Sequence, residues 1–160
     1  MLMHSVVVGF DGSDGSFAAA AAAYRILDAS GTLWAIDIKT VKTFYRDEAR
    51  ADLGGALPHD PDFFEKQWDS AAHAAFTQLV QMPHAPGIAV RHHVLTLMPG
   101  QHGSIAAMLE AWAREHHAEA ICVGRHQGSP VKENFLGSVP HWLTTHSTLP
   151  VLIAPSPTAR

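Results

Sequence analysis

The stretch Val6-Val7-Val8-Gly9-Phe10-Asp11-Gly12-Ser13-Asp14-Gly15-Ser16, followed by six alanines from Ala18 to Ala23, reads as a buried strand, a tight turn and a helix. β-branched residues favour the strand, Gly12 and Gly15 permit the turn, Ser13 or Asp14 can cap the helix, and alanine has the best helix propensity. A continuous apolar strand that runs into a helix opens a parallel sheet covered on both faces.

The alternation continues along the chain. The Ala-rich helix, roughly Ser16 to Ala29, ends at Ser30-Gly31, and apolar runs at Thr32 to Ile38, Ile88 to Leu95, Ala120 to Val123 and Val151 to Ala154 predict four more strands. Phe64, Trp68, Ala71, Ala72, Ala75, Phe76, Leu79 and Val80 recur at helical spacing, as do Ile105, Met108, Leu109 and Trp112 after a possible Ser104 cap. Both stripes read as core. The expected architecture is α/β, a single open doubly wound sheet of five parallel strands with helices on both faces, Rossmann-like. Ligands in such sheets bind outside the carboxyl ends of the strands, at the topological switch point. Val41 to Asp60 is a long connection that reads either as a lid or as a variable surface insertion carrying a short helix.

A second stretch bears on function. Gly124-Arg125-His126-Gln127-Gly128-Ser129-Pro130-Val131-Lys132-Glu133-Asn134-Phe135-Leu136-Gly137-Ser138-Val139 leaves the fourth strand and ends where an amphipathic segment begins. A helix start offers unpaired N–H groups and a positive dipole end, and glycine lets the backbone approach an anion closely. Pro140 supports a helix start at Ser138, because proline is tolerated in the first turn. Taken alone, such a loop can also need its glycines only for turns, and Asp11-Gly12-Ser13 can be only a turn and a cap.

Together the two stretches resemble the universal stress protein superfamily, whose ATP-binding signature is Gly-x-x-Gly, nine further residues and Gly-Ser/Thr. Counted from Gly124, the second glycine falls on Gln127, Gly128 comes one position late, and Gly137-Ser138 stands in register. The resemblance covers nearly the whole chain, residues 1–160 read as one nucleotide-binding domain, and it is weakest from Val41 to Asp60. It implies the strand order 3-2-1-4-5, which makes Asp11 and Gly124 neighbours. It also implies a nucleotide site made of Asp11, Gly12 and Ser13 at the adenosine end, Ile36 against adenine, Val123 and Gly124 at the adenine and ribose, His126, Gln127 and Gly128 in the loop, and Gly137, Ser138 and Val139 on the phosphates.

Function follows as an expectation: an adenine-nucleotide-binding stress-response module that takes ATP with Mg2+, acts as a homodimer through Val151 to Ala154, and signals to a protein partner the sequence does not identify. The alternative is a nucleotide-free member that works by dimerisation or partner binding, with Gln127 marking a lost site. An adenylyl-transferring enzyme is the third class. No Ser-Gly-Gly-x-Asp-Ser loop, His-x-x-His, Gly-Lys-Ser/Thr or Gly-x-Ser-x-Gly occurs to support catalysis. The chain reads as a binding protein; slow ATP hydrolysis stays open, with no residue assigned as general base.

Composition fits that reading. The chain has 160 residues, is 47% hydrophobic and carries net charge −4, and no two Lys or Arg are adjacent, which argues against a nucleic-acid partner. No apolar run reaches the roughly 20 residues of a membrane span, and no basic leader precedes the first strand, so the cytoplasm is the expected location. The single cysteine, Cys122, lies in a strand and reads as a buried, inert thiol. Twelve histidines raise the question of a metal, but their spacing shows no His-Glu-x-x-His and no Cys pair; His92-His93 point to opposite faces, and His116-His117 end a helix. No metal ligand is assigned.

Overall fold

The structure, a computed structural model, describes residues 1–40, 61–97, 104–125 and 137–156. Strands β1 (Met3–Gly9), β2 (Leu27–Thr40), β3 (Ala89–Leu97), β4 (Ala120–Gly124) and β5 (Val151–Ala154) form one parallel sheet in the order β3-β2-β1-β4-β5. Helices α1 (Asp14–Ile26), α2 (Pro61–Gln81), α3 (Ile105–Glu115) and α4 (Ser138–His146) alternate with the strands and cover both faces. This is the doubly wound order the sequence led us to expect.

Side-chain alternation along β1 divides the core in two. Val6 and Val8 pack with Ala19, Ala20 and Ala23 of α1 and with Leu79 of α2. Val7 turns the other way, toward Leu109 and Trp112 of α3 and Leu143 of α4. All three valines are fully buried, as a central strand covered on both sides requires. The alanine run keeps α1 thin on its inner face. Cys122 is completely buried on the same side, where loss of solvation pushes its thiol up to about 12 and keeps it protonated. His92 stacks on Phe76 of α2, while its neighbour His93 turns to Trp112 of α3, so the two do occupy opposite faces.

Three readings change. The first helix stops at Ile26, not Ala29, and β2 begins at Leu27, which pairs with Met3 before the register slips to Ser5↔Thr32. Asp28 fixes that slip: its carboxylate accepts from the backbone N–H of Ser30 at 3.0 Å and from the Ser30 hydroxyl at 2.7 Å. In the α2 stripe Leu79 is buried and Phe76 half-buried, but Val80 is 43% exposed and Ala71 is exposed as well. A 3.6-residue period places Val80 at the margin of the inner face, where it stays in solvent. Phe64 and Trp68 lie outside the residues whose side chains are described. Finally, Ile105 is 36% exposed: its neighbour Ala106 enters the core, while Ile105 lines a cleft at the end of the sheet. Ser104 caps that turn, its hydroxyl accepting from Ala107 N–H at 3.1 Å.

Among the described residues no helix is long and apolar enough to cross a membrane. In the middle of α3, Glu110 accepts from both the backbone N–H and the hydroxyl of Thr148 at 3.1 Å, tying this helix to the approach to β5.

Candidate functional site

β1 and β4 are neighbours, and the helices that follow them in sequence lie on opposite faces of the sheet, α1 on one and α4 on the other. A cleft of about 400 Å³ opens at their carboxyl ends. That volume falls in the usual range for small-molecule sites, roughly 300–1,000 Å³. Ile36 and Ile38 of β2, Val123 of β4 and Ile105 and Leu109 of α3 give it an apolar floor. Asp11, Ser13, Gly15 and Ser16 form one wall, and Gly124, Arg125, Ser138, Val139 and Pro140 the other.

The first wall is built by its own hydrogen bonds. Asp11 Oδ1 accepts from Ser13 N–H at 2.9 Å, closing the turn, and Ser13 Oγ accepts from Ser16 N–H at 3.3 Å as the N-cap of α1. Ser16 then donates its hydroxyl to Ser13 C=O at 2.8 Å. Asp11 keeps one carboxylate oxygen for anything in the cleft. Behind it, Asp37 on β2 is only 7% exposed; burial, with the Asp11 charge adding to it, pushes its carboxyl up to about 6 despite the opposing pull of Lys39. Lys39 is itself held by Asp69 of α2 at 2.7 Å.

The second wall leaves its donors open. Gly137, at φ 87°, is the N-cap of α4 and contributes no side chain; the first intrahelical bond runs from His141 N–H to Gly137 C=O at 3.1 Å. The amides of Ser138 and Val139 therefore have no helical partner, and Pro140 has no amide. That positive φ is a conformation glycine adopts without strain, so a glycine is needed here for the turn itself.

The walls meet where glycines touch. A Cβ on Gly124 would fall on the carbonyl of Gly15, and a Cβ on Gly15 would stand 3.0 Å from the carbonyl oxygen of Arg125. The first turn of α1 therefore rests directly on the end of β4, which only two glycines allow.

Of the residues singled out in the sequence, Asp11, Ser13, Ile36, Val123, Gly124, Ser138 and Val139 share this cleft. Gly12, at φ 80°, faces Ala75 of α2, and Gly137 shapes the start of α4 without lining the cleft. His126, Gln127 and Gly128 lie outside the described residues, as does the connection from Val41 to Asp60. Phe10, Gly15, Ile38, Ile105, Leu109 and Arg125 are cleft residues the sequence reading missed. The alternation of Ile36 and Ile38 on one strand was a usable signal for the second isoleucine. Among the described residues no group of three or more His, Cys, Asp or Glu is placed to hold a metal ion.

A doubly wound parallel sheet in the order 3-2-1-4-5, with a cleft at its switch point, places the chain in the Rossmann-like class of α/β folds. The family model of the universal stress protein family matches residues 3–155, and the chain belongs to that family. Solved structures agree on the fold. The universal stress protein UspA from Lactobacillus plantarum is 20% identical over 96% of this chain and 99% of its own, with a TM-score of 0.61. A universal stress protein solved in complex with cAMP is 24% identical over 98% and 99%, at 0.53. The Archaeoglobus fulgidus universal stress protein, solved in complex with dAMP, is 18% identical over 96% and 99%, at 0.55. A comparison with curated proteins finds no match.

Proposed function

We propose that this chain binds an adenine nucleotide, ATP with Mg2+, in the switch-point cleft, and that it acts in stress signalling as a homodimer. The observation that carries the reading is the open amides of Ser138 and Val139 beside an apolar floor of Ile36 and Val123: a helix start for phosphates next to a surface for a base. That two relatives of this fold were solved with cAMP and dAMP supports the adenine class. Among the described lining Asp11 is the one carboxylate and stands on the opposite wall, so Mg2+ would enter bound to the phosphates rather than in a protein cage. No serine of the described cleft has a histidine beside it in the lining, which favours binding over turnover.

Mg-ATP should stabilise the fold. A ligand at a hundred times its Kd adds about 2.7 kcal/mol, which at this size raises Tm by roughly 5–10 °C. No shift at millimolar Mg-ATP, with the protein folded, would favour the nucleotide-free reading, which has its own observation in Gln127. Gln127→Gly separates the two: if the glycine contact was lost, restoring it tightens binding.

The dimer reading rests on β5, an edge strand of four residues with Leu152 36% exposed and Val151 and Ile153 half-buried. Pro150 and Pro155 limit backbone pairing to a short stretch around a twofold axis. Sedimentation checks it: the wild type should be a dimer at micromolar concentration, and Leu152→Asp with Ile153→Lys a folded monomer.

A further inference from the structure

Arg125 follows Gly124 at the end of β4 and lines the cleft. Its backbone is gripped from two sides. Its N–H donates to Ala154 C=O of β5 at 3.3 Å, and its own carbonyl lies under Gly15, where even a Cβ would press to 3.0 Å. The residue is half-buried, and among the described residues its guanidinium makes no ion pair and no hydrogen bond. A half-buried cation with a fixed backbone and no partner among the described residues, on the wall of a cleft, stands where an anion would complete it.

The opposite wall makes the placement directional. Asp11 is the only other charged residue among the described lining, so the described cleft carries one negative end and one positive end. A phosphate is repelled from Asp11 and drawn to the side of Arg125. There the start of α4 is one donor short, because the third helical position is Pro140. Two backbone amides cannot satisfy the three terminal oxygens of a phosphate, and the guanidinium fork, planar and always charged, supplies the donors that proline removes.

We propose that Arg125 is the specificity-determining residue of this cleft, making it select a nucleoside phosphate over the uncharged nucleoside. The proposal rests on the nucleotide-binding reading above and adds to it which residue reads the phosphate.

Isothermal titration of adenosine and of AMP into wild type, Arg125→Gln and Arg125→Lys tests it. The wild type should bind AMP more tightly than adenosine, with a preference that shrinks as salt is raised. Arg125→Gln should weaken AMP by roughly 10- to 100-fold, the scale of a charge-assisted pair, and leave adenosine within about twofold. Arg125→Lys keeps the charge and loses the fork, so it should fall between the two. If AMP and adenosine weaken together in Arg125→Gln, the residue only supports the wall and the inference is overturned. It is equally overturned if AMP is unaffected, or if the wild type binds both ligands alike; the adenine-binding reading survives those outcomes. A wild type that binds neither removes that reading and this one together.

Discussion

The two walls of the cleft have similar compositions and opposite hydrogen-bond states. From Asp11 to Ser16 the polar groups satisfy one another: a carboxylate closes the turn, a hydroxyl caps the helix, and a second hydroxyl returns to the cap residue. On the other side the Arg125 guanidinium and the amides of Ser138 and Val139 have no partner among the described residues. Polar side chains at a strand end are therefore not evidence of binding by themselves; what separates a scaffold from a receptor is whether their hydrogen-bonding capacity is already used. By that measure Ser13 builds the site, while Ser138 and Arg125 are poised to receive. Asp11 lies between, with one oxygen used and one left.

The sharpest way to break this division is at the seam. In Gly124→Ala the new methyl falls on the Gly15 carbonyl, and because both partners are backbone no rotamer change relieves it. The strain should cost about 3 kcal/mol and lower Tm by roughly 6–12 °C, seen in thermal melts without ligand. An unchanged Tm would mean the walls are not in contact and the cleft is wider than described.

A second carboxylate lies outside the lining of the cleft. Asp37 is buried behind Asp11 and has no hydrogen bond among the described residues, and its carboxyl is raised to about 6. A raised carboxyl means that the folded state holds a proton the unfolded chain has released. Stability from this group is therefore fully present at low pH and is lost as pH rises from about 4 through about 6. Asp37→Asn keeps the shape of the neutral acid. At pH 8 it should be more stable than wild type by about 2 kcal/mol, with the difference closing below pH 4. Urea unfolding at several pH values measures it, and parallel pH profiles for the two proteins would show that Asp37 is not the source.

How much of this was legible in the sequence depends on the range of the interaction. The five strands, the Ser104 cap and the two-faced core follow from local composition and period, which act over a few residues. The end of α1 at Ile26 does not, because it is set by Leu27 pairing with Met3 across the sheet. The same holds for the site. Asp11, Ile36, Val123 and Ser138 were visible as members of motifs. Gly15 was visible only as part of a turn, and its second role, making room for Gly124, depends on a neighbour on another strand. Ile105 sits on the apolar stripe of α3 and reads as core, yet it lines the cleft, which the spacing within one helix does not reveal. Arg125 had no local signal, since one arginine after a glycine forms no pattern; its environment comes from α1, β5 and α4 at once.

The smallest effect tests the division most directly. Ser13→Ala removes the cap of α1 and frees the Ser16 amide, leaving the Asp11 turn and the α4 start untouched. Loss of an N-cap hydroxyl costs about 1 kcal/mol, which at this size is roughly 2–4 °C in Tm. If the first wall is scaffold, affinity for Mg-ATP should stay within about threefold of wild type once both proteins are compared well below their melting points. The freed amide argues for the same result, since an unpaired N–H at a helix start is more hospitable to an anion than a capped one. A tenfold or greater loss of affinity, with only the small drop in Tm, would mean that the Ser13 hydroxyl contacts the ligand directly. The two walls would then share the work of binding, and the contrast between a satisfied wall and an open one would not describe this cleft.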